Sequence, residues 1–215
     1  MNLLAIENCR LTALFQIARI KGQLFLPEAA LLLGSRYNFS TYPQSFEELS
    51  AEKIEFRHGQ FEDVAIQTFE IYTDGVVISS RSDTDIIDLF LEDLSEWLKE
   101  DRDISFIKTH SINKIYDSTI IIQTDKSILK PLDTLTKIAN VLQSELKETS
   151  GLDVKYEPFG WTLSADPTQN PALKPVSFRI ERRVGIEFSM QTYISAAPLK
   201  LKQHVALLEK LESLV

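Results

Sequence analysis

The chain has 215 residues, 44% hydrophobic and 25% charged, and its 23 basic and 31 acidic side chains give a formal net charge of −8. It is long enough to bury a core without metal or disulfide staples, ordinary in composition for a folded protein, and negative enough to repel a phosphate backbone unless its bases cluster on one face. Nucleic acid is therefore a disfavoured partner. Cys9 is the only cysteine, and with an opening stretch that lacks a basic leader it points to the cytoplasm. No run approaches the ~18 apolar residues of a membrane span, so no membrane partner is expected.

Residues 3–20 mix leucine, isoleucine, alanine and phenylalanine with sparse polar positions and are expected to form a buried strand. "LPEAALLLG" predicts a short helix, with Pro27 at its start and Gly34 just past its end. The polar aromatic stretch at 36–50 is broken by Pro43, and Ser45 and Glu48 have capping-box spacing. "VAIQTFEIYT" and "VVISS" are strand-like runs joined by Asp74-Gly75, a pair suited to a type I′ hairpin turn. From residue 84, Ile86, Ile87, Phe90, Leu91, Leu94, Trp97 and Leu98 recur at helical spacing. Asp85, Asp88, Glu92, Ser95 and Lys99 fall on the opposite, solvated face.

"INKIYDSTIIIQT" predicts a strand central in a sheet. The following helix is opened by Pro131, lined on one side by Leu132, Leu135, Ile138, Ala139, Leu142 and Leu146, and stopped by Gly151. "DVKYEPFGWTLSA" reads as strand with a break at Pro158, and "DPTQNPALKP" as a surface loop. Val176, Phe178 and Ile180, then Ile186, Phe188, Met190, Thr192 and Ile194, alternate as two antiparallel strands turning at Val184-Gly185. Pro198 opens a last helix running to Val215. The expected class is α+β, a largely antiparallel sheet with about three main helices packed on it. One domain is expected, with the charged stretch at 99–103 as the alternative boundary. A hairpin followed by a helix occurs twice, at 64–99 and 176–215, without convincing identity between the copies.

Asp83, Asp85 and Asp88, with Asp93, are oxygen ligands of the kind a divalent cation takes. The calcium-loop spacing fails after Asp85, and a helix cap at Ser82 or Asp83 followed by a favourable dipole position accounts for the same residues. No metal and no cofactor is assigned. His58, His110 and His204 lack a second histidine or cysteine at ligand spacing. His58 lies near Glu62 and Asp63, parts of an acid–base pair, although a His-Gly step more often marks a turn; His204 is expected to face solvent. There is no nucleophile elbow and no Ser-x-x-Lys, Cys9 sits in an apolar context, and the scattered glycines exclude the usual phosphate-cradling loops.

"RIERRVG" is the one concentrated basic feature. On a strand, Arg179 and Arg183 share a face with Glu181, where planar guanidinium forks could grip a carboxylate or phosphate; ion pairs to Glu187 are the structural alternative. Tyr37, Phe39, Tyr42 and Phe46, like Tyr156, Phe159 and Trp161, are candidate anchors for a protein partner. The last helix carries two apolar stripes (Leu201, Val205, Leu208 and Glu212 beside Leu207, Leu211 and Leu214), wider than one contact needs, and so a candidate homo-oligomer contact. No catalytic residue is assigned. The expected function is non-enzymatic binding or assembly through protein–protein contacts. The alternatives are a metal-dependent hydrolase uniting Asp83, Asp85 and His58 in three dimensions, and a small-anion or nucleotide sensor on the arginine strand.

Overall fold

Among the described residues, ten strands and five helices follow one another as β1 (Asn2–Leu14), β2 (Gln16–Arg19), α1 (Leu26–Arg36), α2 (Phe46–Leu49), β3 (Ile54–Phe61), β4 (Val64–Tyr72), β5 (Gly75–Ser80), α3 (Thr84–Arg102), β6 (Ile104–Ile107), β7 (Lys114–Gln123), α4 (Asp133–Ser150), β8 (Gly160–Leu163), β9 (Phe178–Arg182), β10 (Thr192–Ala197) and α5 (Leu201–Ser213). The structure is a computed structural model and describes residues 1–19, 26–49, 52–102, 104–107, 114–129, 132–151, 153–166, 168 and 174–214. His110, Pro131, Val215 and most of the proline-rich loop lie outside the described residues. Eight strands form one antiparallel sheet in the order β3-β4-β5-β1-β7-β10-β9-β8, and β2 pairs with β6 apart from it. The chain is therefore α+β, as its strand and helix spacing predicted.

The sheet is built from two similar halves, on either side of residues 99–103. In each, a long strand is followed by helix, a three-stranded meander and a closing helix: β1 with β3–β5 and α3, β7 with β8–β10 and α5. Register makes the correspondence specific. Cys9 pairs with Ser80, four residues before the first residue of α3, Thr84. Ser118 pairs with Ala197, four residues before the first residue of α5, Leu201. Cys9 and Ser118 pair with each other, so an approximate two-fold axis passes between them. The two helix starts meet near it, where the buried Thr84 Oγ1 accepts from the Leu201 N–H at 3.2 Å. The repeated hairpin–helix pattern in the sequence is thus a repeat of architecture.

Strand alternation and helix spacing put the core on the face shared with α1, α3 and α5. Cys9, Leu11 and Ala13 of β1 and Ile120 and Ile122 of β7 meet Ile87, Phe90, Leu91 and Leu94 of α3 and Leu201 and Leu208 of α5 there. Burial of each large apolar side chain contributes about 1.5–3 kcal/mol. Phe90 packs edge-on against Tyr37 and Phe69, at 4.7 and 5.6 Å between ring centres.

Several local expectations need correction. Tyr72 pairs directly with Gly75, so Thr73 and Asp74 make the hairpin turn. Gly75 begins a strand, and the space it leaves matters: a Cβ there would lie 2.1 Å from the Ala13 carbonyl oxygen. The expected single strand at 3–20 is divided into β1 and β2, and Leu3 and Leu4 are exposed. β3 had no clear sequence signal because His58, at φ 54°, breaks its alternation, leaving Arg57 and His58 both exposed between Phe56 and Gly59. Gly34 lies within α1, flat against the Tyr42 ring. Residues 186–190 form a turn and a 3₁₀ segment instead of a strand, and only 160–163 of the stretch at 153–165 are strand. α4 forms and is stopped by Gly151 in the left-handed conformation, yet Leu135, Ile138 and Leu142 on its apolar stripe are exposed.

Candidate functional site

β1, β7, β10 and β9 lie side by side, and alternation sends Cys9, Ser118, Tyr193 and Ser195 to the helix-covered face. Their neighbours face the other way, and these are polar. Asn8, Arg10, Asp117, Thr119, Ser177 and Arg179 line a cleft of about 310 Å³, which also takes in Ser118, Val176 and Ala196. One row of paired positions crosses all four strands: Asn8 opposite Thr119, Thr119 opposite Ala196, Ala196 opposite Arg179. Arg10 and Asp117 are paired in the next row. The cleft therefore flanks the axis between the two halves.

Its charges are unbalanced in position. Asp117 Oδ1 is buried and has no hydrogen-bond partner among the described residues. Burial pushes the Asp117 carboxyl above its ordinary range, and the nearby Arg10 charge opposes that shift. Among the described residues, the arginines held in ion pairs are Arg36, Arg57 and Arg182; Arg10 and Arg179 remain uncommitted. Each guanidinium offers five donors and no acceptor, whereas an ionised Asp117 only accepts.

The two arginines expected to act together are separated. Arg179 lines the cleft, whereas Arg183 lies beyond β9, its backbone N–H donating to the Thr192 carbonyl at 2.9 Å. Arg182 turns into the core at 4% exposure and donates to Glu157 Oε2 and the carbonyls of Pro158 and Phe188. Its guanidinium also stacks over the Phe188 ring at 4.3 Å.

Asp83 caps α3, accepting the Asp85 N–H at 3.1 Å. Asp88 was expected on a solvated face, but it accepts from Lys114 Nζ at 2.8 Å, Lys200 Nζ at 2.6 Å and the Tyr116 hydroxyl at 2.8 Å. Asp85 pairs with Lys202 at 2.5 Å, and Asp93 with Arg36 and the Tyr37 hydroxyl. The exposed His58 lies on edge strand β3, four strands from the β7 lysine that binds Asp88. Among the described residues, no three His, Cys, Asp or Glu side chains gather so as to hold a metal ion. No helix among them is long and apolar enough to cross a membrane.

His204 is fully buried, contrary to the expected solvent position, with Nδ1 2.8 Å from Ser118 Oγ and Nε2 2.9 Å from Ser195 Oγ. Cys9 is buried too, its thiol pushed up to about 12 by desolvation first and by the Asp83 charge second. Tyr37 and Phe39 are 3% and 4% exposed and belong to the core, and Tyr42 is partly buried against it. Phe46, 81% exposed, is the ring of that stretch open to a partner.

Asn8, Arg10 and Asp117 were passed over in the sequence because each sits inside a run read simply as strand. A signal was present in "KIYDSTIII": a carboxylate in mid-strand, in a segment bound for the centre of a sheet. No protein-family model and no curated protein matches the chain.

Proposed function

We propose that the protein binds a small anionic molecule in the cleft on the central strands, between Arg10 and Arg179, and works by binding instead of turnover. The supporting observation is that these two guanidiniums line one cavity without an ion pair among the described residues, in a chain of net charge −8. Charge-assisted hydrogen bonds to a carboxylate or phosphate are worth about 1.5–3 kcal/mol each, and the volume is at the lower end for small-molecule sites. The cleft is lined by no lysine, histidine or cysteine, and the one lining hydroxyl held against an imidazole, Ser118, meets the fully buried His204 on the helix-covered side of the sheet. A single cysteine, which can form no internal disulfide, supports a cytoplasmic setting for this role.

Titration of the ¹⁵N-labelled protein with inorganic phosphate and with acetate tests this. Shifts should converge on the amides of Asn8, Thr119 and Arg179. Arg10→Ala with Arg179→Ala should remove them, and Arg183→Ala should not. Unchanged binding by the double variant would sink the reading.

A second reading, assembly with another copy of the chain, is favoured by α4. Leu135, Ile138, Val141 and Leu142 are 45, 59, 62 and 47% exposed, an apolar helix face of the kind that marks an interface. On α5, where the oligomer contact was expected, Leu211 packs on the core, and Leu207 and Leu214 are left exposed. Sedimentation equilibrium should show self-association that Ile138→Lys with Val141→Lys abolishes; a monomer at every concentration ends this reading.

A further inference from the structure

Resting on that reading, we propose that the ligand is a small zwitterion, its anionic group taken by the Arg179 guanidinium and its cationic group by Asp117. The three side chains share one cleft of about 310 Å³. A ligand carrying negative charge alone would meet the Asp117 carboxylate as well as the arginines. A ligand carrying positive charge alone would meet two guanidiniums. Only opposite charges on one molecule are complementary to both ends.

The geometry supports separated charges. Asp117 is on β7 and Arg179 on β9, with β10 between them. Arg179 aligns through Ala196 with Thr119, two residues from Asp117. Strand spacing and rise then put the two backbone positions about 12 Å apart. A long arginine side chain and a short aspartate reaching inwards leave a gap the length of a small amino acid. Asn8 and Thr119 lie along the row and can both donate and accept. The orphaned Asp117 Oδ1 is the acceptor that an ammonium group would satisfy. Arg10, opposite Asp117, favours its ionised form.

The test uses matched probes on the full chain: acetate against glycine, and butyrate against 4-aminobutyrate, with butylammonium as the cation alone. Affinities are read from amide shifts of the cleft residues. At one of the two lengths the zwitterion should bind about tenfold or more tightly than its simple acid, which is the worth of one added charge-assisted bond. Asp117→Asn, checked for an unchanged amide spectrum elsewhere, should abolish that preference without weakening the acid, and Arg179→Ala should weaken both. Equal affinities at both lengths, or a preference that survives Asp117→Asn, would overturn the zwitterion and leave the anion site standing, whereas butylammonium binding best would overturn both. Failure of every probe, inorganic phosphate included, would overturn the anion site itself.

Discussion

Arg10 and Asp117 face each other across the β1–β7 ladder, yet Asp117 Oδ1 is buried without a hydrogen bond among the described residues. Such a group destabilises the fold that carries it unless a ligand answers it. Burial raises the carboxyl above its ordinary value, with Arg10 opposing. A folded value above the unfolded one means the folded state retains a proton that the unfolded chain gives up. This group's contribution is therefore present at low pH and lost as pH rises through the carboxyl range. Asp117→Asn removes the buried charge. It should raise the calorimetric unfolding midpoint by a few degrees at pH 7, with a smaller gain at pH 4. A midpoint that falls at pH 7 would show that Asp117 is stabilised by something other than Arg10.

Asp88 joins three elements, since its donors Lys114 and Tyr116 are on β7 and Lys200 directly precedes α5. Burial alone would push its carboxyl up, but those three donors outweigh it and hold the group below its ordinary range. The stabilisation is thus present above the unfolded carboxyl value of about 3.9 and lost as pH falls through the lower folded one. Asp88→Asn leaves two ammonium groups facing an amide. A loss of about 1–3 kcal/mol at pH 7 is expected, between surface and buried ion pairs. Urea unfolding at pH 7 and again near pH 3 should show the difference between the two proteins shrinking. A constant difference would mean the network contributes packing and no charge pairing.

Features decided by neighbouring residues were legible in the sequence. The Ser45–Glu48 capping box forms in both directions, at 3.1 and 3.2 Å. Asp83 caps α3, and Gly151 ends α4. Relations that cross the sheet were not legible. His204 looked like a polar helix position, but it is buried because β7 and β10 bring Ser118 and Ser195 to its two nitrogens. Asp88 has the spacing of a wet helix face, and only the fold shows that this face meets lysines. Tyr37 and Phe39 looked available to a partner because β3, which Phe39 covers at Phe56 and Gly59, does not alternate around His58 and so gives no strand pattern. The cleft needed four strands in a particular order, and Arg10 and Asp117 do not advertise each other in the chain.

Two glycines should respond to alanine for different reasons. At Gly75 the new Cβ would lie 2.1 Å from the Ala13 carbonyl oxygen, so the β1–β5 pair must part. Gly75→Ala should cost about 1–3 kcal/mol or more, as overpacking does. Gly185 has φ 80° and nothing within 4 Å of a new Cβ. Gly185→Ala should cost only the left-handed backbone term, about 1–2 kcal/mol, and Gly185→Asn less. Equilibrium urea unfolding of the three variants checks this; Asn at 185 as costly as Ala would show that backbone conformation is not the cause.

The buried His204 gives the clearest pH dependence. Ser118 Oγ is 3.1 Å from the Leu199 carbonyl oxygen and Ser195 Oγ 2.9 Å from that of Arg179, and each serine also contacts one imidazole nitrogen. A neutral ring has one N–H and one lone pair. One serine can therefore accept from the ring and donate to its carbonyl, while the other must donate to the ring and forgo its carbonyl. A charged ring would satisfy all four contacts, but at the cost of a buried charge. Desolvation prevails and lowers the His204 value to about 4. Between about pH 6.5 and pH 4 the unfolded chain binds a proton that the folded state refuses, so stability is complete above that window and falls as pH falls through it. The loss attributable to this ring is on the order of 3 kcal/mol over the window. Unfolding free energies at pH 7.5 and 4.5 should therefore drop by about 2–3 kcal/mol more in the natural protein than in His204→Gln, whose amide retains one donor and one acceptor but does not titrate. Equal drops in the two proteins would mean that the hydrogen bonds of the two serines, and not burial, govern the charge on this histidine.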